Sequence, residues 1–401
     1  MTRLPTPLRP LFPLVKRTVV RSTELVGPVV RHLPASPTRP RPPRHLAEST
    51  EDYTTTHPTA GVELQYVAPR IERSWAPPPG IPAGHFVFDG HRRRVIPPAF
   101  VARLPRGRVV GSYGAVVTDD DTLLFDLSPY YGAFRAAQHP ISLRWRLPPP
   151  EDLDGTVAVL TTRGVDNYYH FLTDVLPRLE LLRRAGAGAD RYVVERRTRF
   201  QRELLDRLAV TDDVALSPSA HPHVRAERLV AASLPDSHLQ APPWMVAWLR
   251  DTLLPESAPV ARRRLYVTRG HKRNTRRVEN EDAVLKLLAP YGFEVVDPGA
   301  LSVAEQIDAF AGAELVVGPH GAGLTNIVFC PAGATVVELF PPDYVNVCYW
   351  NLASAVDGLR YRYLVNGPVT RRRGAQLGVA SDVTVDLDGL RTLVEDALAQ
   401  S

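Results

Sequence analysis

A histidine and an aspartate lie four residues apart in the segment 167–177, which reads NYYHFLTDVLP. On a helix this spacing places His170 and Asp174 one turn apart on one face. A carboxylate there can orient the imidazole and increase its basicity, so the pair could act as a general base. Asn167 adds a polar group three residues earlier. The alternative is that His170 is structural, as single helical histidines commonly are.

A second candidate group is the turn at 318–326, GPHGAGLTN, which follows an apolar strand pattern. Glycines let the backbone approach a ligand closely, and a helix beginning here would direct free N–H groups at an anion. The turn therefore resembles a pyrophosphate cradle in which His320 donates to a phosphate oxygen, unless His320 only braces the loop. The glycine order is GxxGxG, which argues against the dinucleotide fingerprint GxGxxG.

Charged residues flank this turn in the sequence. Glu338 interrupts the apolar strand pattern VVELF, where an unpaired carboxylate would be costly. Its partner could be a pair of ribose hydroxyls or, alternatively, an arginine or a backbone N–H. Basic residues also crowd the loop after the strand RLYVT, where a guanidinium fork could reach a diphosphate; they are Arg269, His271, Lys272, Arg273, Arg276 and Arg277.

Other chemistries have little support. The run Asp119–Asp121 contains a DxD spacing that can hold a metal, but its place between VVT and TLLF favours a hairpin turn. No nucleophile elbow, cysteine nucleophile or three-ligand metal set occurs, which argues against a hydrolase. Cys330 and Cys348 are too few for a disulfide framework, and we expect a reducing cytoplasm.

The elements that position these residues are predicted from periodicity. Residues 84–147 alternate β-rich runs with turns, and from about 156 strands and helices alternate, as in a parallel sheet with crossover helices. The alternation restarts after 242–259. We predict an α/β fold with four parts: a proline-rich, disordered tail at 1–60, an N-terminal domain at 61–250, a C-terminal domain at 251–375, and a helix at 376–401 that packs back on the N-terminal domain.

The net charge of +5 is located in the tail. Residues 1–47 hold nine Lys or Arg and one acid, so the other 354 residues carry −3. The main body is therefore not basic, which argues against a nucleic-acid binder. Within the tail, 14–26 has the pattern of a basic amphipathic helix that could contact a membrane peripherally; a solvated basic tail is the alternative. No apolar stretch is long enough to span a bilayer.

Four segments together resemble glycosyltransferase family 61, in its bacterial, capsular or extracellular polysaccharide type. They are NYYHFLTDVLPRL at 167–179, RLYVTRG with RRVENED within 264–282, the helix SVAEQIDAFAGAE, and VVGPHGAGLTNIVFCPAGATVVELFP at 316–341. The resemblance covers about 85–400 and leaves the basic tail unexplained.

The resemblance implies a GT-B architecture, with two facing Rossmann-like domains and a cleft between them. It also implies a metal-independent, inverting transfer of a sugar from a nucleotide diphosphate, with a UDP-sugar expected, to a saccharide hydroxyl, and no cofactor. His170 and Asp174 would be catalytic and Asn167 would lie on the acceptor side. The donor-binding residues implied are Arg269, Arg276, His320, Gly321, Gly323, Asn326 and Glu338. The alternatives are a non-catalytic nucleotide-sugar-binding protein and an envelope-assembly scaffold.

Overall fold

The computed structural model describes residues 12–32, 40–130, 133–235, 239–256, 262–270, 276–367 and 381–400. The chain forms two compact units. Unit 1 consists mainly of Ile71–Ile96 and Asp236–Ser401, and unit 2 consists of Leu14–Arg70 and Pro97–Pro235. Both units combine sheets and helices, so the α/β prediction is confirmed. The facing arrangement of a GT-B fold stays a prediction.

The α-helices, in chain order, are α1 (Phe12–His32), α2 (Thr50–Thr56), α3 (Phe86–Asp89), α4 (Tyr168–His170), α5 (Pro177–Arg184), α6 (Arg199–Arg207), α7 (Pro243–Leu253), α8 (Glu281–Leu288), α9 (Val303–Ala311), α10 (Cys348–Ala353) and α11 (Leu387–Leu398). A π-helical turn, Phe171–Val175, joins α4 to α5. Within the described part of the chain, no helix is long and apolar enough to cross a membrane.

The strands are β1 (His45–Ala47), β2 (Glu63–Ala68), β3 (Ile71–Ser74), β4 (Gly80–Ile81), β5 (Arg93–Ile96), β6 (Ala99–Pro105), β7 (Arg108–Val110), β8 (Ala115–Val117), β9 (Thr122–Leu124), β10 (Glu151–Val159), β11 (Arg191–Val193), β12 (Ala215–Leu216), β13 (His223–Ala232), β14 (Arg263–Val267), β15 (Phe293–Val296), β16 (Ala313–Pro319), β17 (Thr335–Phe340) and β18 (Arg360–Val365).

Unit 1 is built on a six-stranded sheet in the order β15-β14-β16-β17-β18-β4, with every pair parallel. β16 and β17 are almost entirely buried, which explains their continuous apolar runs. If the strands are numbered in chain order with β14 as strand 1, the first five strands of the sheet have the order 2-1-3-4-5, as in doubly wound sheets. The connection from β14 leads to one side of the sheet order and that from β16 leads to the other, so the topological switch point lies between these two strands. The capping box predicted for α9 is confirmed, because Ser302 and Glu305 cap its N-terminus reciprocally.

Unit 2 is built on a ten-stranded mixed sheet. β10 pairs in parallel with β11 and β13, and β13 pairs antiparallel with β6 and β7. The β-rich front predicted from the sequence is therefore continuous with the later α/β part. The crossover from β10 to β11 contains α4, the π turn and α5, which carry the first group of candidate residues.

The compact units differ from the domain boundaries predicted from sequence. β4 joins the sheet of unit 1 beside β18, and Gly80 lies so close to Tyr363 that a Cβ would come within 2.5 Å of the ring. Unit 1 therefore takes a strand from within 61–250. A strand this short carries no periodic signal, so its long-range pairing was not predictable.

The two chain ends also differ from the prediction. In the tail assigned to disorder, α1 is helical and β1 pairs in parallel with β9. The predicted packing of the terminal helix was wrong: α11 contacts α8, β17 and β18 of unit 1, and Leu390 and Val394 are fully buried in that core. Residues 1–11, 33–39, 368–380 and 401 lie outside the described residues.

Candidate functional site

The switch point of the unit 1 sheet brings the second group of candidate residues together. Arg269 follows β14 and His320 follows β16, and these strands are neighbours in the sheet. The carboxyl ends of parallel strands at such a point form the crevice in which open α/β sheets bind ligands. The sequence placed the two residues 51 positions apart, and the strand order makes them adjacent.

Two arginines converge on one backbone oxygen in this crevice. Nη1 of Arg269 donates to the carbonyl oxygen of His320 at 2.7 Å, and Nε of Arg276 donates to the same oxygen at 3.0 Å. Burial, with a further contribution from the charge of Arg276, lowers the pKa of Arg269 to about 10. Nε of Arg269 is buried and has no hydrogen-bond partner among the described residues. The crevice therefore concentrates positive charge and retains an unused donor.

The glycines of the turn make room for this arrangement. A Cβ on Gly321 would lie 1.8 Å from Nη1 of Arg269, and a Cβ on Gly323 would lie 2.9 Å from the ring of Pro298. Backbone φ at Gly321 is 177°, so the requirement is for space and not for an unusual conformation. The helix expected after the turn is present over Ala322–Phe329 and is of the 3-10 type.

Glu338 is fully buried beneath the turn, and both of its carboxyl oxygens are engaged. Oε1 is hydrogen-bonded to Nδ1 of His320, and Oε2 accepts from the hydroxyl of Tyr361. The geometry therefore does not support the interpretation of Glu338 as a ribose ligand. Its carboxyl group is linked inside the core, but to His320 and Tyr361 and not to the arginine or backbone N–H expected as the alternative. Tyr361 was missed because a tyrosine inside a strand carries no local functional signal.

Burial determines the protonation of this pair. It raises the pKa of Glu338 well above its usual value, and burial together with the Arg276 and Arg269 charges lowers the pKa of His320 well below its usual value. Both shifts favour the neutral form of the group. In the neutral pair, a protonated Glu338 donates to Nδ1 of His320, so the ring proton resides on Nε2 and makes that atom a donor.

Aromatic rings fix the His320 imidazole. It stacks on Phe340 at a centroid distance of 5.4 Å, and Tyr344 and Tyr349 meet it at 5.3 and 5.2 Å. The guanidinium of Arg276 lies 5.0 Å from the ring centroid of Tyr344. Asn326 is buried and donates to Gln306 and to the carbonyl of Gly323. Its observed contacts therefore brace the turn.

A cavity of about 340 Å³ opens beside Arg269. Its lining includes Gly270, Val278 and both signs of charge, from Arg277 and Glu281. Glu281 is held by the hydroxyls of Tyr266 and Thr268, so it is part of the wall. The volume lies at the lower end of the range of small-molecule sites. His271, Lys272 and Arg273, which the sequence added to this loop, lie outside the described residues.

The first group of candidate residues lies in unit 2, where the predicted contact between His170 and Asp174 is confirmed. Nδ1 of His170 lies 2.9 Å from Oδ2 of Asp174. The Asp174 side chain is only 1% exposed, whereas that of His170 is 15% exposed. His170 ends α4 and Asp174 lies in the π turn, an irregularity frequently found at functional sites. The pair thus has the geometry of a buried carboxylate orienting an accessible imidazole.

Arg178 extends this pair into the core and was missed from sequence. It is fully buried, and its Nη1 donates to the carbonyl of Thr161 at 3.2 Å just beyond the end of β10. Burial lowers its pKa to about 10, and the charge of Asp174 acts in the opposite direction. The available signal was its position four residues after Asp174, one helical turn further along the chain.

The remaining predicted groups have structural contacts. Asn167 is the N-cap of α4, and its Oδ1 accepts from the backbone N–H of Tyr169 at 2.9 Å. The DxD run forms the turn between β8 and β9, as the hairpin interpretation predicted, with Asp119 and Asp121 paired to Arg106 and Arg108. Among the described residues, no cluster of three or more His, Cys, Asp or Glu side chains could hold a metal ion.

Comparison with known proteins gives a family match for part of this chain. Residues 168–337 match the family model of glycosyltransferase 61. The matched segment is under half of the chain and includes His170, Asp174, Arg269 and Arg276; Glu338 follows it directly.

Three curated relatives have glycosyltransferase names. An alpha-1,3-arabinosyltransferase of Oryza sativa subsp. japonica is 33% identical over 26% of this chain and 19% of its own length. A beta-1,2-xylosyltransferase of the same plant is 28% identical over 48% of this chain and 47% of its own length. An EGF domain-specific O-linked N-acetylglucosamine transferase of Drosophila melanogaster is 37% identical over 22% and 17%. Each match spans less than half of the relative.

Proposed function

We propose that this chain is a family 61 glycosyltransferase that moves a sugar from a nucleotide diphosphate donor to a saccharide hydroxyl. The observation that carries the proposal is the convergence of Arg269 and Arg276 on the carbonyl of His320, at the sheet position where α/β folds bind ligands. This pair lies within the segment that matches the family, as does the His170–Asp174 pair.

The donor diphosphate is the ligand that the unit 1 crevice suits. Two guanidinium groups provide several charge-assisted N–H donors, and their mutual repulsion is relieved when an anion binds between them. Nε2–H of His320 adds a neutral donor directed by Glu338. The adjoining cavity of about 340 Å³ provides space for further parts of the donor. In this proposal these groups stabilise the departing diphosphate, and no metal is required.

Proton transfer is assigned to unit 2. With Nδ1–H donated to Asp174, the neutral imidazole of His170 has its lone pair on Nε2. The acceptor hydroxyl oxygen forms a bond to the anomeric carbon while that carbon's bond to the diphosphate oxygen breaks. The hydroxyl proton moves to Nε2, and the bond electrons leave with the diphosphate. Such a single displacement inverts the anomeric centre.

The exposed fractions of the two side chains support His170 over Asp174 as the base. Asp174 is 1% exposed, and one of its oxygens is already hydrogen-bonded to His170. A substrate hydroxyl would therefore meet the more exposed imidazole first. We assign His170 as the base and Asp174 as the residue that orients it.

The substrates are proposed from likeness alone. The relatives' names specify arabinosyl, xylosyl and N-acetylglucosamine transfer, and a UDP-sugar is the donor we propose to test first. A capsular or extracellular polysaccharide is the acceptor that the bacterial type of the family implies. The free thiols Cys330 and Cys348 are compatible with the proposed cytoplasmic location.

The test has two stages on the full chain. Isothermal titration with UDP, GDP, TDP and CMP should detect selective binding of one nucleoside diphosphate, and the matching sugar conjugates are then assayed for transfer to oligosaccharide acceptors. Turnover with inversion at the anomeric carbon, followed by NMR, is the expected result. Failure of every nucleotide to bind would overturn the proposal, whereas binding without hydrolysis or transfer would support the non-catalytic alternative.

A further inference from the structure

Helix α1 presents apolar side chains to solvent. Leu25 is 77% exposed, Val26 47% and Val29 64%, and they lie at helical spacing along one side. Exposed Arg21 and His32 lie at the two ends of this strip. Single exposed apolar residues are common, but a continuous strip bounded by basic residues is typical of an interaction surface.

The opposite side of α1 is held by the rest of unit 2. A Cβ on Gly27 would lie 3.0 Å from Cβ of Ser142, and Nη1 of Arg31 donates to the Ser142 hydroxyl at 3.4 Å. Nε2 of Gln138 donates to Glu24 at 2.9 Å. These contacts fix the rotation of the helix, so the apolar strip faces outward because its other side is occupied.

Residues 133–147, which include the Gln138 and Ser142 contacts of α1, expose two large aromatic side chains. Phe134 is 80% exposed and Trp145 57%. Arg144 and Arg146 on either side of Trp145 are exposed, and the guanidinium of Arg41 lies 5.1 Å from the Trp145 ring. Exposed aromatic rings with arginines beside them favour an environment that is apolar on one side and anionic on the other.

Positive charge is concentrated in the same two segments. Residues 12–32 and 133–147 together hold seven Lys or Arg and one acid, Glu24, for a net +6. The whole chain carries +5, so all other residues sum to −1. Two copies of this surface would repel each other, which argues against a symmetric dimer through it.

We propose that α1 and residues 133–147 form a docking surface for an anionic lipid bilayer. Leu25, Val26, Val29, Phe134 and Trp145 insert at the level of the lipid headgroups, and the surrounding exposed arginines contact the phosphates. This goes beyond the amphipathic helix expected from sequence, because the tertiary contacts select which side of α1 is available and add the two aromatic residues. The side chains of Leu14, Val15 and Val19 from that expectation lie outside the described residues.

The test is co-sedimentation of the full chain with vesicles. One set is phosphatidylcholine alone and the other contains about one third phosphatidylglycerol. The expected result is binding to the anionic vesicles only, weakened at least about 10-fold in the Leu25→Asp/Val29→Asp double variant. Val295→Asp is the matched control, since Val295 is 54% exposed on a strand of unit 1. The altered side chains are exposed, so each variant should retain the wild-type far-UV circular dichroism and nucleotide binding.

A spectroscopic measurement localises the contact. The Trp fluorescence of the wild type should shift to shorter wavelength with anionic vesicles, and Trp145→Phe should lose most of that shift. Equal binding to both vesicle types, or unchanged binding of the double variant, would overturn the proposal. A wild-type dimer in light scattering that the double variant abolishes would overturn it in favour of a protein interface.

Discussion

The carboxyl group of Glu338 and the imidazole of His320 form a buried hydrogen bond that determines which ring nitrogen of the histidine carries the proton. Because burial favours the protonated form of Glu338, we expect the acid to donate to Nδ1 and the ring proton to reside on Nε2. The same histidine anchors both arginines through its backbone oxygen. His320 thus links the two arginine charges, its own ring N–H donor and the geometry of the turn.

The first prediction concerns the protonation of Glu338. Glu338→Gln keeps a donor toward Nδ1 and an acceptor for Tyr361, so nucleoside diphosphate affinity should change less than about 3-fold, whereas Glu338→Ala leaves Tyr361 unpaired and should cost about 2–4 kcal/mol of stability. Titration calorimetry and urea unfolding measure the two effects. Strongly reduced affinity in the Gln variant would show that Glu338 works ionised.

The same substitution predicts a pH dependence. A pKa raised in the folded state means that the folded protein holds a proton which unfolding releases, so this contribution to stability is lost as pH increases above the usual value of 4.5. Glu338→Gln lacks this titration. The free energy of unfolding of this variant minus that of the wild type should therefore increase by up to about 1.4 kcal/mol per pH unit between pH 5 and 8. A constant difference across that range would contradict the assigned state.

A second prediction concerns the arginine pair. Arg269→Ala or Arg276→Ala should weaken nucleoside diphosphate binding about 10- to 100-fold, because each removes charge-assisted hydrogen bonds to the diphosphate. The affinity of the wild type should also decrease with added salt more steeply than that of either variant. Arg391→Ala is the control, since Arg391 is exposed on α11 of the same unit. Unchanged affinity in both arginine variants would place the anion elsewhere.

A third prediction concerns the space beside Gly321 that Nη1 of Arg269 occupies, and it is tested without a change in charge. Gly321→Ala places a methyl group where Nη1 of Arg269 now lies, so the guanidinium must move and affinity should decrease at least about 10-fold. The backbone at Gly321 is extended and accepts alanine without strain. Gly188→Ala is the control because its Cβ would have no atom within 4 Å. Equal affinity in the two alanine variants would show that the position of Arg269 is unimportant.

The fourth prediction separates catalysis from binding. His170→Gln removes the base. In Asp174→Asn the new amide donates to Nδ1 of His170, so Nε2 of that ring carries the proton and cannot accept another. Both should lower kcat about 100- to 10,000-fold with little change in donor affinity. His221→Gln is a matched control, since His221 of the same unit contacts Glu151 at 2.7 Å. Retained turnover in both variants would exclude the pair from proton transfer.

Local sequence patterns determined much of this protein. The four-residue spacing of His170 and Asp174 predicted their contact because a helical turn brings such residues together whatever surrounds them. The capping box of α9 and the buried strands β16 and β17 were likewise predictable, since hydrogen bonding and burial there follow near neighbours. The hairpin at Asp119–Asp121 follows from turn chemistry in the same way.

Tertiary structure alone decided which distant residues meet and what each then does. Strand order placed Arg269 beside His320. Strand register placed Tyr361 against Glu338, so this residue, expected to bind a ribose, is a buried acid that orients His320. β4 joined unit 1 and α11 packed there for the same reason. Pairing across tens of residues depends on the fit of whole buried surfaces, and the protonation of Glu338 depends on that burial, so neither is determined within a sequence window.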